Sequence, residues 1–322
     1  MKKVTVIGGG TGTYVALTGL KQYPLDIAAI VTMTDSGGST GRLRDQLGVL
    51  PPGDLRQCLV ALSEAPMLWR KLFLYRFENG DLAGHNFGNI FLSALEKVST
   101  NYNEVIDTVS YVLQTKGPVI PVTFEKTHLC VQYENGITIR EEGNIDEDNK
   151  ESSRIVKAFV DPEVQANQKA IDRIQESDYI IIGPGDIYTS IVPVFLINGI
   201  KEAIKNSKAK IIFVVNLVTK TGQTTNYKAQ DFIDDITTYT GRAPDVVIMN
   251  NGEIPPEILE WYHDHNEHVV RNNLSETSAM QIKEDDLIEK TGYTKNSSDE
   301  LTRSILRHDS NKLAKVLSQY IV

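Results

Sequence analysis

Short aliphatic runs alternate along this chain with longer stretches that have a helical spacing of apolar residues. The runs show no alternation of polar and apolar positions, as expected for strands that are covered on both faces. Five of them end in turns rich in glycine, asparagine or hydroxyl residues: Val4–Ile7, Ile27–Met33, Tyr179–Ile182, Ile211–Val215 and Val246–Met249. This pattern predicts an α/β fold with a doubly wound, mostly parallel sheet, and with ligands outside the carboxyl ends of its strands.

Two stretches do not show this alternation of single aliphatic runs with helical segments. Residues 54–115 have the pattern of several consecutive helices. Residues 118–160 have the pattern of short antiparallel strands, in which Asn135-Gly136 predicts a hairpin turn of type I′. Because the chain shows no repeat and no flexible linker, we expect a single domain over residues 1–322, with a helical insertion and a β-hairpin insertion.

The 322-residue chain has an ordinary globular composition, with 41% hydrophobic and 23% charged residues, which excludes disordered and fibrous classes. It carries 33 Lys and Arg against 42 Asp and Glu, a net charge of −9. An acidic chain is not expected to bind nucleic acid over a broad face, because phosphates require a basic surface. Any anionic ligand must therefore be held in a local pocket.

Neither a membrane segment nor a thiolate metal site is predicted. The apolar run before Gly8 is too short for a signal peptide, and no stretch approaches the ~18 apolar residues of a membrane span. Cys58 and Cys130 are too far apart for a paired-thiolate motif. We expect a cytoplasmic protein without membrane insertion. The acidic run Glu141–Asp148 is interpreted as a solvated loop rather than as a metal site.

Two glycine-rich loops follow the first two predicted strands. The first, Gly8–Gly12, resembles a dinucleotide fingerprint but has Thr13 at the position of the third glycine. Backbone N–H groups at the start of the next helix could approach a phosphate there, although a tight turn alone would explain the glycines. The second, Asp35–Arg42, combines hydroxyl and carboxylate side chains with glycines and an arginine. Such a loop suits a phosphate or a metal-bound phosphate, and a surface loop that caps a helix is the alternative.

Three further loops repeat this arrangement before predicted helices. Asp54 is a candidate ligand-binding residue or simply a helix N-cap, whereas Arg56 is harder to explain because cations oppose the dipole at a helix start. In Gly84–Asn89, His85 is a candidate acid–base or phosphate-binding group, and an ordinary turn histidine is the alternative. Gly183–Ser190 offers backbone donors and hydroxyl groups at the same edge of the sheet.

Several enzyme classes lack their signatures here. The sequence has no Gly-Lys-Ser/Thr of a P-loop nucleoside triphosphatase, no Tyr-x-x-x-Lys pair of a short-chain reductase and no zinc-binding spacing. His263, His265 and His268 do not share one helix face, so we interpret them as a surface run. An NAD(P) oxidoreductase is disfavoured, because the fingerprint is broken and no acid–base set for hydride transfer is evident.

Taken together, these loops resemble the bacterial gluconeogenesis factor family. The resemblance rests on GGGTG at 8–12, DSGGSTGRLR at 35–44, PPGDLR at 51–56, GHNFGN at 84–89 and IGPGDIYTS at 182–190, whose order and spacing agree across nearly the whole chain. That family is similar to 2-phospho-L-lactate transferase, so the resemblance implies a Rossmann-like fold. It further implies a cytoplasmic protein that binds UDP-sugars such as UDP-N-acetylglucosamine. Such a protein supports growth and cell shape on gluconeogenic carbon sources without catalysing a reaction.

The same resemblance assigns Tyr262 and Arg307 to UDP-sugar recognition. Tyr262 could stack on uracil and Arg307 could pair with phosphate, while a half-buried helix aromatic and a helix-end cation are the alternatives. Asp186 departs from the hydroxyl residue expected after the Gly-Pro-Gly turn, and an acid there would repel a pyrophosphate unless a metal bridges them. The candidate ligand-binding residues are Gly9, Gly10, Thr11, Gly12, Asp35, Ser36, Gly37, Gly38, Ser39, Arg42, Asp54, Arg56, His85, Asn86, Asn89, Gly183, Gly185, Asp186, Tyr188, Thr189, Ser190, Asn216, Tyr262 and Arg307.

The C-terminal helix has an apolar stripe that begins at Leu313, so Asp309 or Ser310 is predicted as its N-cap. Backbone N–H groups at a helix start favour an anion, and we hypothesise that this helix start and Arg307 together meet the pyrophosphate. Ser310 is a candidate regulatory phosphorylation site, because a phosphate there would compete for Arg307.

Two functional classes remain open: a nucleotide-sugar-binding regulator, and a transferase of phosphorus-containing groups that resembles the phospholactate enzyme. The aromatic content of 7% favours the regulator, because a deazaflavin substrate needs a large aromatic pocket. No catalytic residue is assigned and no cofactor is required, although Mg²⁺ could accompany a phosphate ligand. We expect a homo-oligomer and, from the resemblance, a partner protein of cell-wall synthesis.

Overall fold

A seven-stranded parallel sheet forms the centre of the protein. The structure is a computed structural model that describes residues 1–147, 153–276, 280–289 and 305–322. In sheet order the strands are β3 (Val119–Pro121), β2 (Asp26–Val31), β1 (Lys3–Gly8), β7 (Tyr179–Ile182), β8 (Lys210–Val214), β9 (Val246–Asn250) and β10 (Gln281–Asp285). All neighbouring strands pair in parallel. The five aliphatic runs predicted as strands all lie in this sheet, so these predictions are confirmed.

The direction in which the chain moves across the sheet reverses beside β1. From β1 the chain proceeds through β2 to β3, and it then returns to the other side of β1 with β7 and continues through β8 and β9 to β10. The predicted doubly wound, Rossmann-like arrangement is thereby confirmed. The carboxyl ends of β1 and β7 flank the switch point at which such sheets bind their ligands.

Helices pack around the sheet, and the inner strands β1, β7, β8 and β9 are almost entirely buried between them. Helix α1 packs against both α3 and α13, and α8 packs against α10. The helices of the described residues are α1 (Gly10–Leu20), α2 (Gly38–Leu47), α3 (Gly53–Leu62), α4 (Met67–Leu74), α5 (Phe87–Val98), α6 (Tyr102–Leu113), α7 (Glu142–Glu147), α8 (Gln168–Glu176), α9 (Val192–Phe195), α10 (Ile200–Asn206), α11 (Ala229–Thr240), α12 (Pro256–Asp264) and α13 (Ser310–Ile321), and a π-helical turn spans Ile187–Ile191.

Residues 54–115 form helices α3 to α6, as their apolar spacing predicts. These helices connect β2 to β3. Helix α3 packs against α1, β2 and β3, so the stretch begins as a crossover that covers the sheet. The first turn of α3 contains Asp54 and Arg56. Because α3 packs on the sheet, these two residues lie near the carboxyl ends of the strands.

Residues 118–160 differ from the prediction at their start. Strand β3 joins the large sheet in parallel beside β2, because its short apolar segment is buried there, and it takes no part in an antiparallel sheet. The later strands β4 (His128–Tyr133), β5 (Thr138–Arg140) and β6 (Ile155–Asp161) do form the expected antiparallel sheet, in the order β5-β4-β6.

The turn between β4 and β5 contains one residue with positive φ instead of two. Gly136 has a φ of 87°, whereas Asn135 has no positive φ. The Oδ1 atom of Asn135 accepts the N–H of Ile137 at 3.0 Å, and the N–H of Gly136 donates to the carbonyl of Tyr133 at 2.9 Å. A type I turn followed by a left-handed glycine therefore closes the hairpin. The prediction of a type I′ turn is wrong, because Asn135 bonds to its own loop.

The apolar side chains form one large core around the sheet and one smaller cluster near the C-terminus. We call the smaller one the C-terminal apolar cluster, which consists of Leu217, Tyr262, Ile288 and Leu306. It lies beyond the carboxyl end of β8 and borders the cleft described below. Within the described ranges, no helix is long and apolar enough to cross a membrane.

Candidate functional site

A cleft of about 620 Å³ lies at the carboxyl ends of β1, β2, β7 and β8. Its walls come from the loops that follow these strands, from the first turns of α1 and α3, and from segments near the C-terminus. This is the switch point of the sheet, where the fold alone predicts a ligand. The candidate residues that line it are Gly10, Thr11, Gly12, Asp35, Gly37, Ser39, Asp54, Arg56, Asn89, Gly185, Asp186, Ser190, Asn216, Tyr262 and Arg307.

The loops after β1 and β7 meet at the floor of this cleft. A Cβ atom at Gly12 would collide with the carbonyl oxygen of Pro184, so only glycine lets the start of α1 lie against the second loop. The N–H of Gly10 donates to Oδ1 of Asp54 at 2.8 Å. Asp54 therefore links the first turn of α3 to the first glycine-rich loop through this hydrogen bond. It does not cap its own helix, whose N-cap is Pro52, so the N-cap interpretation is wrong.

Arg56 is buried although it lies at a helix start, and its partners explain why. Its Nε donates to Oδ1 of Asn89 at 2.8 Å, and its Nη1 donates to the carbonyl of Phe73 at 3.3 Å. Asn89 in turn donates to the hydroxyl of Ser39, which lies 3.2 Å from Nδ1 of His85. This network joins the second and fourth loops and presents the arginine to the cleft. His85 lies behind it, outside the cleft lining.

Lys220 neutralises the unexpected acid at Asp186. Its Nζ lies 2.7 Å from a carboxylate oxygen of Asp186 and 2.7 Å from one of Asp146. Burial alone would lower the pKa of Lys220, but the two carboxylates, Asp186 first, hold it above the ordinary value. Asp186 therefore enters the cleft as half of an ion pair. The charge of Lys220 reduces the repulsion between Asp186 and a pyrophosphate, so no bridging metal is needed for this purpose.

The acidic run after Arg140 is a wall of the cleft, so its interpretation as a solvated loop is wrong. It forms α7, in which Glu142 accepts the N–H of Ser36 at 3.0 Å and the N–H of Gly143 donates to the Ser36 hydroxyl at 2.8 Å. Burial, with Asp35 and Asp146 nearby, holds the pKa of Glu142 well above its usual value. Asp148, the last residue of the run, lies outside the described residues.

An aromatic and apolar surface borders the cleft at the C-terminal apolar cluster. Tyr262 is 2% exposed, and its hydroxyl accepts the N–H of Leu306 at 3.0 Å. Trp261 lies edge-on to Tyr262 and stacks on His265, with ring centroids 4.0 Å apart. Because little of the Tyr262 ring is accessible, Trp261 and His265 supply more of the aromatic surface available to a base. The sequence did not indicate either residue as part of the site.

Arg307 lines the cleft, but the start of α13 does not. Asp309 caps this helix by accepting the N–H groups of Asn311 and Lys312, which confirms it as one of the two predicted N-caps. These N–H groups are thereby occupied, so the hypothesis that they meet the pyrophosphate together with Arg307 is wrong. Ser310 is the first residue of the helix, and its regulatory role stays a prediction.

Other candidate residues lie behind the cleft lining. The Nη2 atom of Arg42 donates to the carbonyl of Ala83, and the hydroxyl of Tyr188 bonds to Asp235 at 2.8 Å. Their side chains thus hold the scaffold together. The candidates outside the lining are Gly9, Ser36, Gly38, Arg42, His85, Asn86, Gly183, Tyr188, Thr189 and Ser310.

The sequence missed a second group of lining residues. Most of them follow β8 or belong to α7 and α12, and the signal was present at β8, because polar residues follow that strand just as they follow β1 and β2. The missed residues include Arg76, Glu142, Asp146, Thr219, Lys220, Thr221, Trp261, His265, Glu267 and His308. In the part of the chain that the structure describes, no group of three or more His, Cys, Asp or Glu side chains could hold a metal ion by itself.

Comparisons with known proteins find bacterial relatives that match nearly the whole chain. A sequence model of the family described as 2-phospho-L-lactate transferase CofD matches residues 4–288. A relative from Thermoanaerobacterium thermosulfurigenes is 40% identical over 317 residues, which cover 98% of this chain and 95% of the relative. The protein named gluconeogenesis factor from Bacillus subtilis is 36% identical over 318 residues, covering 98% of this chain and 96% of its own.

Solved structures show the same architecture. A crystal structure of a protein from Bacillus halodurans superposes with a TM-score of 0.87 and 34% sequence identity, covering 98% of this chain and 99% of that chain. A second structure of a protein from the same organism gives a TM-score of 0.88 with 33% identity over the same shares.

Proposed function

This chain belongs to the gluconeogenesis factor family, within the wider family of 2-phospho-L-lactate transferase CofD, and from that membership we propose that it binds a nucleotide sugar of the UDP-N-acetylglucosamine type. In this proposal it acts in the cytoplasm as a regulatory factor for growth and cell shape on gluconeogenic carbon sources. A protein of cell-wall synthesis is the proposed partner.

The observation that carries the proposal is the meeting of two glycine-rich loops at the switch point of the sheet. Thr11 and Gly12 bring the first turn of α1 to the cleft, where helix N–H groups attract phosphate. Arg56 and Arg307 line the same cleft and can pair with phosphate oxygens. Trp261 supplies an aromatic face at the other side for a base. A nucleoside diphosphate linked to a sugar needs these three kinds of surface together.

The cleft is lined by both acidic and basic side chains, which suits a ligand with both anionic and neutral polar parts. Lys220 pairs with Asp146 and Asp186, and burial raises the pKa of Glu142 well above its usual value. The positive charges of Arg56 and Arg307 lie in the same lining and can attract phosphate. The hydroxyl and carboxylate groups that remain can bind a sugar.

A thermal-shift panel of UDP-N-acetylglucosamine, UDP-glucose, NAD and GTP tests this proposal. A ligand at about 100 times its Kd that binds only the folded state adds roughly 2.7 kcal/mol of stability. We expect the UDP-sugars to raise the melting temperature and NAD to leave it unchanged. Stabilisation by NAD alone would rule out the nucleotide-sugar proposal.

A phosphorus-group transferase is the second candidate, favoured by the two carboxylates Asp35 and Asp54 at the cleft. With a phosphate ligand, Asp35 could contribute an oxygen ligand to Mg²⁺. We expect no turnover when the pure protein is incubated with a UDP-sugar and Mg²⁺ and the mixture is followed by mass spectrometry. Steady product formation that Asp35→Asn abolishes would instead establish the transferase.

A further inference from the structure

Two hydrogen-bond acceptors in the cleft wall have no partner in the described structure. One is Nε2 of His308, a residue that is 7% exposed, and the other is Oδ1 of Asn216. Both residues line the cleft. Buried polar atoms in native proteins nearly always have a partner, so two orphaned acceptors beside one cavity indicate donors that a ligand brings.

The other atom of each side chain is already engaged, and this fixes what the free atom can do. The Nδ2 group of Asn216 donates to the carbonyl of Gly185 at 2.9 Å, so its Oδ1 is the atom of the amide that has no partner. The ring of His308 forms a hydrogen bond with the backbone of Val215. The N–H of Val215 already donates to the carbonyl of Ile248. The carbonyl of Val215 is therefore the acceptor, Nδ1 carries the proton, and Nε2 presents a lone pair.

His308 keeps this lone pair over the whole physiological pH range. Burial lowers its pKa to about 4, so the ring is neutral at pH 7. It can accept a hydrogen bond but cannot attract a phosphate as a cation. This separates its role from that of its neighbour Arg307.

The position of His308 assigns it to the base rather than to the phosphates. Its backbone pairs with Ile288, and Leu306 lies two residues before it, so it borders the C-terminal apolar cluster. Val215 follows β8, and β7 lies between β8 and the switch point. Because neighbouring strands are about 4.8 Å apart, β8 lies roughly 5–10 Å from the switch point. A diphosphate at the switch point can place its nucleoside at that distance.

We propose that His308, supported by Asn216, accepts a hydrogen bond from a ring N–H of the ligand's base and so selects the base. Uracil presents such a donor at N3 and guanine at N1, whereas cytosine and adenine present a lone pair at the corresponding edge. Two facing lone pairs repel, and a buried acceptor without a donor is penalised. The inference rests on the proposed function in that the ligand is a nucleotide.

Calorimetric titration of the full chain with UDP, GDP, CDP and ADP tests the selection directly. We expect a nucleotide with a ring N–H donor to bind at least about tenfold more tightly than CDP and ADP, the ratio for one hydrogen bond. In His308→Phe, the affinity for UDP should fall about tenfold while that for CDP changes less than twofold. His308→Gln, whose amide oxygen lies near the position of Nε2, should restore part of the preference. The control Arg307→Ala should weaken all nucleotides alike.

Nitrogen-15 NMR of the histidine ring gives a readout that does not depend on a variant folding. The Nε2 resonance of His308 should shift on adding UDP and remain in place on adding CDP. Equal binding of UDP and CDP by the wild-type protein would overturn the inference and leave the proposed function intact. Preferred binding of GDP would support the base selection and count against a UDP ligand. Failure of all four nucleotides to bind would overturn both.

Discussion

At the scale of single residues, the cleft depends on charges that compensate each other. Lys220 lies between Asp146 and Asp186, and the amide of Gln223 also donates to Asp146. An acid beside phosphate-binding loops is unexpected from the sequence, because its partner is 34 residues away in the chain. The pairing explains how the site can tolerate it.

Lys220→Met should lower the free energy of unfolding by about 2–3 kcal/mol, since it leaves two carboxylates facing each other. The effect should be smaller than for a fully buried pair, because the lysine side chain is 23% exposed. Urea unfolding at pH 7 measures it. Lys315→Met, on the exposed face of α13, is the control and should change stability by less than about 0.5 kcal/mol. Equal effects of the two variants would contradict the pairing.

His308 should make the stability of the protein fall in mild acid. Its folded pKa of about 4 lies below the ordinary 6.5, so the unfolded chain takes up the proton first. The contribution is present above about pH 6.5 and is lost as the pH falls toward 4, amounting to roughly 3 kcal/mol. Urea unfolding at pH 7 and pH 4.5 should show a smaller loss in His308→Gln than in the wild type. An identical pH dependence would show that the ring is not held neutral.

At the scale of elements, the meeting of α1 with the loop after β7 determines the shape of the cleft. Gly12→Ala should destabilise the protein by at least about 2 kcal/mol, because the new Cβ collides with the backbone of Pro184. An alanine in a helix interior would otherwise stabilise it by up to about 1 kcal/mol. Gly143→Ala in α7, where the Cβ would meet only ordinary contacts, is the matched control. Equal stability of both variants would show that α1 does not approach the loop this closely.

The strands and their loops could be predicted because their signals are local. Unalternated runs end in turns, and the carboxyl ends of parallel strands lie on one edge of the sheet, so Gly12, Asp35 and Gly185 were found together. The wall formed by Glu142 could not be predicted, because an acidic run resembles a solvated loop until its partner Ser36 is known. The turn at Asn135 was mistaken for the same reason, since its side chain decides the backbone conformation.

At the scale of the whole molecule, exposed large hydrophobic side chains are concentrated in one segment. Of the 14 large hydrophobic residues that are exposed in the described structure, 6 lie within residues 67–82, including Leu68 at 78% exposed. Lys71 and Asp81 are both exposed in the same segment, so two copies can pair opposite charges across a two-fold axis.

We therefore expect a homodimer through residues 67–82. Sedimentation velocity over a range of concentrations should show a dimer for the wild-type protein and a monomer for Leu68→Glu. Val98→Glu, which changes an equally exposed residue at the end of α5, should remain dimeric. A wild-type protein that stays monomeric at every concentration would rule out this interface.

Calorimetric titration with UDP-N-acetylglucosamine tests the proposed function most directly when it compares two arginine variants. Arg307 lines the cleft, and its loss should weaken binding by roughly 1.5–3 kcal/mol, the range for a charge-assisted hydrogen bond. Arg42, whose guanidinium donates to the carbonyl of Ala83 outside the cleft lining, should be replaceable by alanine without loss of affinity. Tight binding by the wild type and Arg42→Ala, with weak binding by Arg307→Ala, is the expected result. Unchanged affinity in Arg307→Ala, or no binding by the wild type, would contradict a nucleotide-sugar site in this cleft.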